Sequence, residues 1–571
     1  MTDHVSVLVV GGALGGLSSA LFLARAGVPV LLAERHAATS NQPRFRGPTI
    51  RSMEVLRGVG LEDRVRAAGT SDREIGGIAW VGDNLADPEV RWNVEPWEED
   101  LSGVSPTVAC ACDQDKFEPL LLDRARELGA GIRFGSELTG FEQDADGVTA
   151  VLLDRATGAE RTVRADYLIA ADGTHSPVRE RLGIARQGPG LLGHRISIYF
   201  AADLRPELDG RVFSACFVEG MGASLLPRDS GLWQLSVPYR PEQGESERDF
   251  TPERCRGLIR SALGRDDVHA ELRSTSPWEI AMLVAERFQE GRVFLVGDSA
   301  HVMPPTGGFG GNSAIQDAHN LAWKMAAVLA GTAGPGLLDT YGPERRAVAE
   351  LTVAATASRL PASWVGEGAD GQAHGLAPTG GPTPVGGLPP AADHNTVSLG
   401  YRYRSAAVLL DEDDGDPVED PRKPTGRPGT RAAHVVLQRP DATRLSTLDL
   451  WQDTYVLLTG ERGERWLTAA REAAAELGIT LPAHRVGPPG TDADLSDTTG
   501  QWPRAYGVPA DGATLIRPDG FVAWRALSPP DHPGAALTDA LRRLHDRPRE
   551  GVGVGADGSG AARRDRNGRR P

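Results

Sequence analysis

Three carboxylates in this 571-residue chain each stand at the end of a short apolar run. Asp298 follows Val293-Phe-Leu-Val296 and Gly297, Asp172 follows Tyr167-Leu-Ile-Ala-Ala171, and Glu34 follows Val28 to Ala33. Such runs read as buried strands, and open α/β sheets bind ligands beyond the carboxyl ends of their strands. Acids placed there accept hydrogen bonds from a ligand's hydroxyls. No side-chain nucleophile with an adjacent base is apparent, so the chemistry points to holding a large ligand rather than to attacking a bond.

Glycines supply the other half of the site. Pro304 and Pro305 stiffen the chain after Asp298, and Gly307, Gly308, Gly310 and Gly311 let backbone N–H groups approach a flat or anionic partner. The sequence predicts Asn312 as the N-cap of a helix over 313–329. Ile315, Ala318, Ala322, Met325 and Leu329 fall on its buried face at 3, 4, 3, 4 spacing, and its positive end meets the ligand. Near the N-terminus, the strand Val5 to Val10 runs into Gly11-Gly12-Ala13-Leu14-Gly15-Gly16 and a helix from Leu17 to Ala26. This is a dinucleotide fingerprint in which Ala13 replaces the glycine that approaches the pyrophosphate, and Glu34 lies near the offset expected for an acid on a ribose 2′-OH.

Composition excludes several classes. A net charge of −16 with no basic face argues against a nucleic-acid partner, and no apolar run long enough to span a membrane is present. No signal peptide is apparent, so the chain reads as cytoplasmic. The four cysteines, Cys110, Cys112, Cys216 and Cys255, lack zinc or disulfide-framework spacing, so neither a metal nor a disulfide is expected. His301 and His319 read as packed histidines. Residues 194–201, 211–218, 223–227 and 232–239 read as strands of an antiparallel sheet roofing a chamber. Phe200, Phe213, Phe217, Met221 and Trp233 are its candidate substrate-lining residues. A Gly/Pro-dense stretch over 361–395 marks a linker. Beyond it, strands near 432–437, 454–458, 479–486, 513–516 and 521–524 and a helix over 466–477 suggest a thioredoxin-like α/β unit. All four cysteines precede residue 256, so that unit cannot exchange thiols.

The ordered set Gly11/Gly16/Glu34, Asp172-Gly173 and Gly297-Asp298 resembles that of the FAD-dependent aromatic hydroxylases, the p-hydroxybenzoate and phenol hydroxylase group. The run from Gly307 to Lys324 resembles its aromatic polyketide-tailoring branch, the tetracenomycin- and anthracycline-type hydroxylases. The resemblance implies that Gly11, Gly15, Gly16, Glu34 and Arg35 hold the ADP half of FAD. It places Asp298, Gly308, Gly311 and Asn312 on the ribityl, pyrophosphate and ring side, and Pro304, Pro305 and Gly307 near the ring. Arg46 and Gln114, the latter opening a helix to Leu128, match flavin-contacting positions, and Asp172 serves both FAD and the nicotinamide donor.

The implied fold is α/β, with a Rossmann-like FAD-binding domain over 1–184 plus 286–360 and an antiparallel-sheet substrate domain over 185–285. A thioredoxin-like domain without redox cysteines follows over 396–548, with a disordered tail over 549–571. The implied activity is NADPH- or NADH-dependent hydroxylation of a polycyclic aromatic polyketide in antibiotic biosynthesis, with O2 as co-substrate and a flavin C4a-hydroperoxide as oxidant. A homodimer is compatible with this reading. A Baeyer–Villiger oxygenase on the same scaffold, and a non-catalytic FAD-binding interaction protein, remain open alternatives. A flavin halogenase is disfavoured, because Lys116 and Lys324 fall on helices and Lys423 lies in the tail domain.

Overall fold

A computed structural model describes residues 3–547 apart from 72–77, 88–90, 95–99, 205–207, 209–212, 229–230, 361–363, 365–391, 412–414 and 452. The expected tail, most of the expected linker, the turns near 206–210 and 229–231 and the start of the strand expected at 211 lie outside the described residues.

The first sheet runs Gln289–Glu290, Val293–Leu295, Glu160–Ala170, Asp3–Val10, Val30–Glu34, Gly131–Phe134. The strands starting at 293, 160, 3, 30 and 131 are mutually parallel, so the chain leaves them all at one edge. Parallel strands covered on both faces must be apolar throughout, which is why Val30–Glu34 is buried at every position. The helices Leu14–Arg25 and Phe309–Leu329 pack on this sheet in one core, Leu17 and Leu21 meeting the predicted stripe of Ile315, Ala318, Ala322 and Met325.

The second sheet runs His301–Val302, Glu271–Ala285, Arg186–Ala201, Leu232–Tyr239, Ala223–Pro227, Ala215–Val218, Ile78–Gly82, Arg91–Val94. Its middle strands match the sequence reading, but residues 78–94, read as part of the nucleotide-binding domain, close its far edge. The strand at 78–82 pairs in parallel with 215–218, a non-local contact that leaves no local pattern. One face of this sheet carries Ile196, Ile198, Phe200, Leu225, Leu235 and Val237 against Cys255, Ile259 and Leu263 of the helix Pro252–Leu263.

The C-terminal region forms a third sheet, ordered Arg444–Ser446, Val436–Gln438, Leu495–Asp497, Ala483–Gly487, Val456–Gly460, Ala513–Ile516, Val522–Ala526. Three adjacent parallel strands lie beside a terminal antiparallel pair, with helices Glu464–Leu477 and Pro533–Leu544 packed on each other, so the region is an α/β unit. The four cysteines are buried free thiols. Among the described residues no helix is long and apolar enough to cross a membrane.

Buried charges bind this region to the rest. Glu344, on the helix Tyr341–Ala357, accepts from Lys324 at 2.7 Å, from Arg517 at 2.6 and 2.8 Å, and from Asn320 and Ser405, and the Glu344, Lys324 and Arg517 side chains are fully buried. Glu54 is gripped by Arg51 and Arg431 in a second cluster. Removing one partner of a buried pair leaves an uncompensated charge, at a cost of about 3–5 kcal/mol. Glu344→Ala is therefore expected to lose about that much stability in urea unfolding, with the C-terminal region exposed first to limited proteolysis; an unchanged midpoint contradicts the assignment.

His319, His434 and His545 are each held neutral by burial, their pKa pulled down to about 4 from 6.5. Between those pH values the unfolded chain binds more protons at these sites, so their contribution to stability is lost as pH falls from 6.5 towards 4. The carboxyls of Glu118 and Asp172 are pushed up by desolvation and act in the opposite sense, so the useful readout is a difference between chains. His434→Asn, which keeps a partner for Ser446, should show a shallower loss of stability between pH 6.5 and 4.5 than the unsubstituted chain. Parallel curves would refute it.

Candidate active site

The parallel strands deliver three loops to one place. Val10 pairs with Ala170 and Ala170 with Leu295, so Gly11, Ala171 and Val296 emerge side by side. Gly11 has φ +105°, and a Cβ there would lie 2.1 Å from the Ala171 carbonyl oxygen, while one on Gly16 would lie 1.8 Å from the Gly11 carbonyl oxygen. Both glycines are obligatory for steric reasons. Ala13 takes the N-cap position of the first helix, with no side-chain cap, so the first-turn N–H groups are left to a ligand. Glu34 reaches back across the loop: its Oε2 accepts the Gly12 N–H at 2.5 Å and its Oε1 the His36 N–H at 2.8 Å. Arg35 is exposed beside it.

Asp298 lies in the one-turn helix Gly297–Ser299, beyond the central strand. Protein surrounds it deeply enough to push its carboxyl upward, with His301, Thr174 and Arg44 pulling the other way, yet its side chain is exposed. Both hold for a group lining a recess, and the exposure decides what a ligand meets. Asp172 is turned inward, its oxygens accepting from Ser176 Oγ at 2.6 Å and the Val178 N–H at 3.1 Å. Ser176 caps the short helix Pro177–Arg181, and Asp172, by holding Ser176, fixes the turn that carries Thr174 to Asp298.

The glycine loop differs from expectation at one point. The long helix begins at Phe309, four residues early, because Gly308 adopts a left-handed φ of +67° and serves as the cap. Asn312 is therefore not the N-cap. Its Oδ1 accepts the Thr49 N–H at 2.8 Å, and its Nδ2 donates to the Gly308 and Gly47 carbonyls, tying the loop before Ile50 to the helix start. Gly311 has no room for a side chain against Phe45 and Leu14. Pro304 is buried and Pro305 exposed on the approach, and the Gly307 carbonyl meets His394 at 3.0 Å. His301 is buried, with Nε2 at 2.7 Å from Asp317, which also takes Arg345 at 2.6 Å.

Gln114 accepts the Phe45 N–H at 3.1 Å and donates to Glu118 at 2.7 Å, holding the segment that carries Arg46. Arg46 in turn donates to the Pro227 carbonyl of the second sheet. That contact brings the sheet's other face towards the cofactor loops. Phe200, Phe213 and Trp233 do not line this face; they are buried in the core beneath the helix Pro252–Leu263, and Met221 packs against the same cluster. Of the five lining candidates only Phe217 sits elsewhere, with Trp278, Trp364 and Met282. The error is one of phase: alternation along a strand separates two faces, and the apolar phase here is core.

The opposite phase carries residues the sequence reading passed over. Arg228 pairs with Asp113 at 3.1 Å and donates to Gln234; Gln234 and Trp278 donate to Ser197 Oγ at 2.7 and 3.0 Å. Ser276 bonds Gln42 at 3.3 Å and Arg44 at 3.4 Å. Arg195, buried without a carboxylate and lowered to about 9 by desolvation, donates to Ser236 and the Gly222 carbonyl beneath the Trp364 ring. Tyr199 is buried on the same phase, its hydroxyl pushed up by burial. The polar half of the alternation, Arg195, Ser197 and Tyr199 between Ile196, Ile198 and Phe200, was the available signal.

Comparison with known proteins gives the arrangement its context. Residues 4–356 match the FAD binding domain family, and residues 425–548 match the aromatic-ring hydroxylase C-terminal family. A putative polyketide hydroxylase of Streptomyces halstedii is 45% identical over 92% of this chain and 94% of its own length. A 4-methyl-5-nitrocatechol 5-monooxygenase of Burkholderia sp. is 41% identical over 95% and 97%. The crystal structure of an aklavinone-11 hydroxylase in ternary complex with FAD and aklavinone superposes with a TM-score of 0.85 at 41% identity, covering 96% of this chain and all of that one. The chain belongs to the FAD-binding aromatic-ring hydroxylases and is a flavin-dependent monooxygenase.

Proposed function

We propose that the chain uses FAD, NADPH or NADH, and O2 to hydroxylate a polycyclic aromatic polyketide in antibiotic biosynthesis. The observation that carries this reading is the convergence of three glycine-bearing loops beside a polar sheet face, in a chain 96% of which matches a hydroxylase crystallised with FAD and aklavinone. The groups present fit the cofactor: free helix N–H groups for phosphates, recessed or fixed carboxylates for hydroxyls, and glycines where a ring must approach backbone.

Gly11, Gly15, Gly16, Glu34 and Arg35 would hold the ADP half, with Asp298, Gly308, Gly311 and Asn312 towards the ring and Arg46, Gln114 and Asp172 fixing the surrounding turns. When bound and reduced by the nicotinamide donor, FAD supplies the transfer of one oxygen atom from O2 to an electron-rich ring. The rest falls to the chain. The amino end of helix Phe309–Leu329, capped by glycine rather than by an acid, stabilises negative charge developing near it. Tyr199, Gln234 and Ser197 present hydroxyl and amide groups to substrate oxygens, while Phe217, Trp278 and Trp364 exclude water.

The decisive assay is product analysis. NADPH oxidation should accelerate with a polycyclic phenol and yield a product heavier by one oxygen that retains its carbon skeleton; a ring-expanded lactone would establish the Baeyer–Villiger reading, and acceleration by a single-ring catechol alone would overturn the substrate class. Asp298→Ala removes a charged acceptor worth about 1.5–3 kcal/mol. It should therefore raise the FAD dissociation constant ten- to a hundredfold, measured by flavin fluorescence on dilution; unaltered retention removes Asp298 from the cofactor site.

A further inference from the structure

A cavity of about 560 Å³ lies between the carboxyl end of helix Leu14–Arg25, one side of helix Ile50–Gly58, the far half of helix Phe309–Leu329, and the C-terminal domain. It is within the size range of small-molecule sites. Trp323 is fourteen residues from the start of its helix, so about 21 Å separates this wall from the cofactor loop. The cavity is not part of the site described above.

Its walls carry four aromatic side chains, Phe22, Trp323, Trp451 and Tyr455, with His319 and His545. Three polar atoms among them have no partner, namely Trp323 Nε1, Tyr455 Oη and His545 Nδ1, on side chains 9%, 3% and 5% exposed. A buried polar group without a partner is costly and calls for a missing one. The charges at the cavity satisfy each other. Arg51 pairs with Glu54 at 3.1 Å and donates to the Asp519 carbonyl, the Asp519 carboxylate takes Arg517 and Asn320, and Arg25 pairs with Asp453 at 2.9 Å. Among the described wall residues Arg51 Nε also lacks a partner, but Glu54 neutralises that guanidinium; the unpartnered atoms of Trp323, Tyr455 and His545 belong to uncharged groups, since burial holds both histidines neutral near physiological pH.

We propose that this cavity is a binding site for an uncharged, fused-ring aromatic molecule bearing hydroxyl or carbonyl oxygens at its edge. The rings stack among Phe22, Trp323 and Trp451, and the oxygens meet the Trp323 N–H and the Tyr455 hydroxyl. The site is distinct from the turnover site and does not depend on the reaction assigned there.

The test uses the FAD-loaded full chain without nicotinamide, with 1-hydroxyanthraquinone as probe in equilibrium dialysis. The unsubstituted chain should bind one more molecule per chain than Ala326→Trp, which fills the cavity, and both should show the same flavin spectrum. Tyr455→Phe, which removes only an unpartnered hydroxyl, should weaken that one site about fivefold and leave the melting temperature unchanged. Anthraquinone-2-sulfonate should not displace the probe from it. Equal stoichiometry in Ala326→Trp overturns the site, and equal competition by the sulfonate overturns the ligand class. If Ala326→Trp fails to retain flavin, Tyr455→Phe decides alone, and unaltered affinity there overturns the proposal.

Discussion

Buried charge is the constraint on which the rest of this structure depends. Glu344 is removed from water and so needs cations that are also removed from water, and it draws them from two regions: Lys324 from the long helix and Arg517 from the C-terminal hairpin. Asp317 is satisfied by His301 and Arg345, and Glu54 by Arg51 and Arg431. Each carboxylate is stable only while its partners stay in place. The C-terminal region supplies two of these cations, Arg431 and Arg517, and losing them would leave Glu54 and Glu344 with one cation each, Arg51 and Lys324.

The long helix passes this constraint to the chemistry. Asp317, Asn320 and Lys324 lie along it, about two to four turns from the glycine loop at its start. Asp317 also accepts the Gly297 N–H at 3.1 Å, and a Cβ on Gly297 would lie 2.8 Å from that of Ala314. The turn bearing Asp298 and the amino end of the helix are thereby locked to each other. Asn312 fastens the loop at 47–49 to the same turn. The orientation of the cofactor loops is thus set by packing and ion pairs outside the site.

The parts legible in the sequence share a physical origin. Strands buried on both faces need continuous apolar runs, and loops that approach a cofactor need glycine, so the strands ending near Val10, Ala170 and Leu295 and their following turns could be placed from residue type alone. What was not legible depends on contacts distant in sequence. The helix cap moved from Asn312 to Gly308 because Gly308 adopts a left-handed conformation, and four nearby glycines left the choice of cap undetermined. Residues 78–94 join the second sheet through pairing with residues more than a hundred positions away. The buried ion clusters draw on residues up to 377 positions apart, and nothing in a charged residue's local sequence marks it as interior.

The substrate face is the instructive case, because the signal was present with its sign reversed. Apolar residues at every second position drew attention to Phe200, Phe213 and Trp233, yet a sheet with a helix on one side must spend its apolar phase on that helix. The face towards the cofactor keeps Arg195, Ser197, Tyr199, Gln234 and Ser276, with aromatic groups confined to Phe217, Trp278 and Trp364 at one side. A polycyclic phenol has flat apolar faces but polar edges, and a site built to bond those edges rejects a ligand lacking them far more strongly than an apolar pocket rejects one that is slightly too large. On the proposed reading, selectivity rests on the polar phase of the second sheet, so that a change in the ring carbon oxidised would call for moving hydrogen-bond partners such as Gln234 and Tyr199, whereas changes to the core residues Phe200 or Trp233 act on folding.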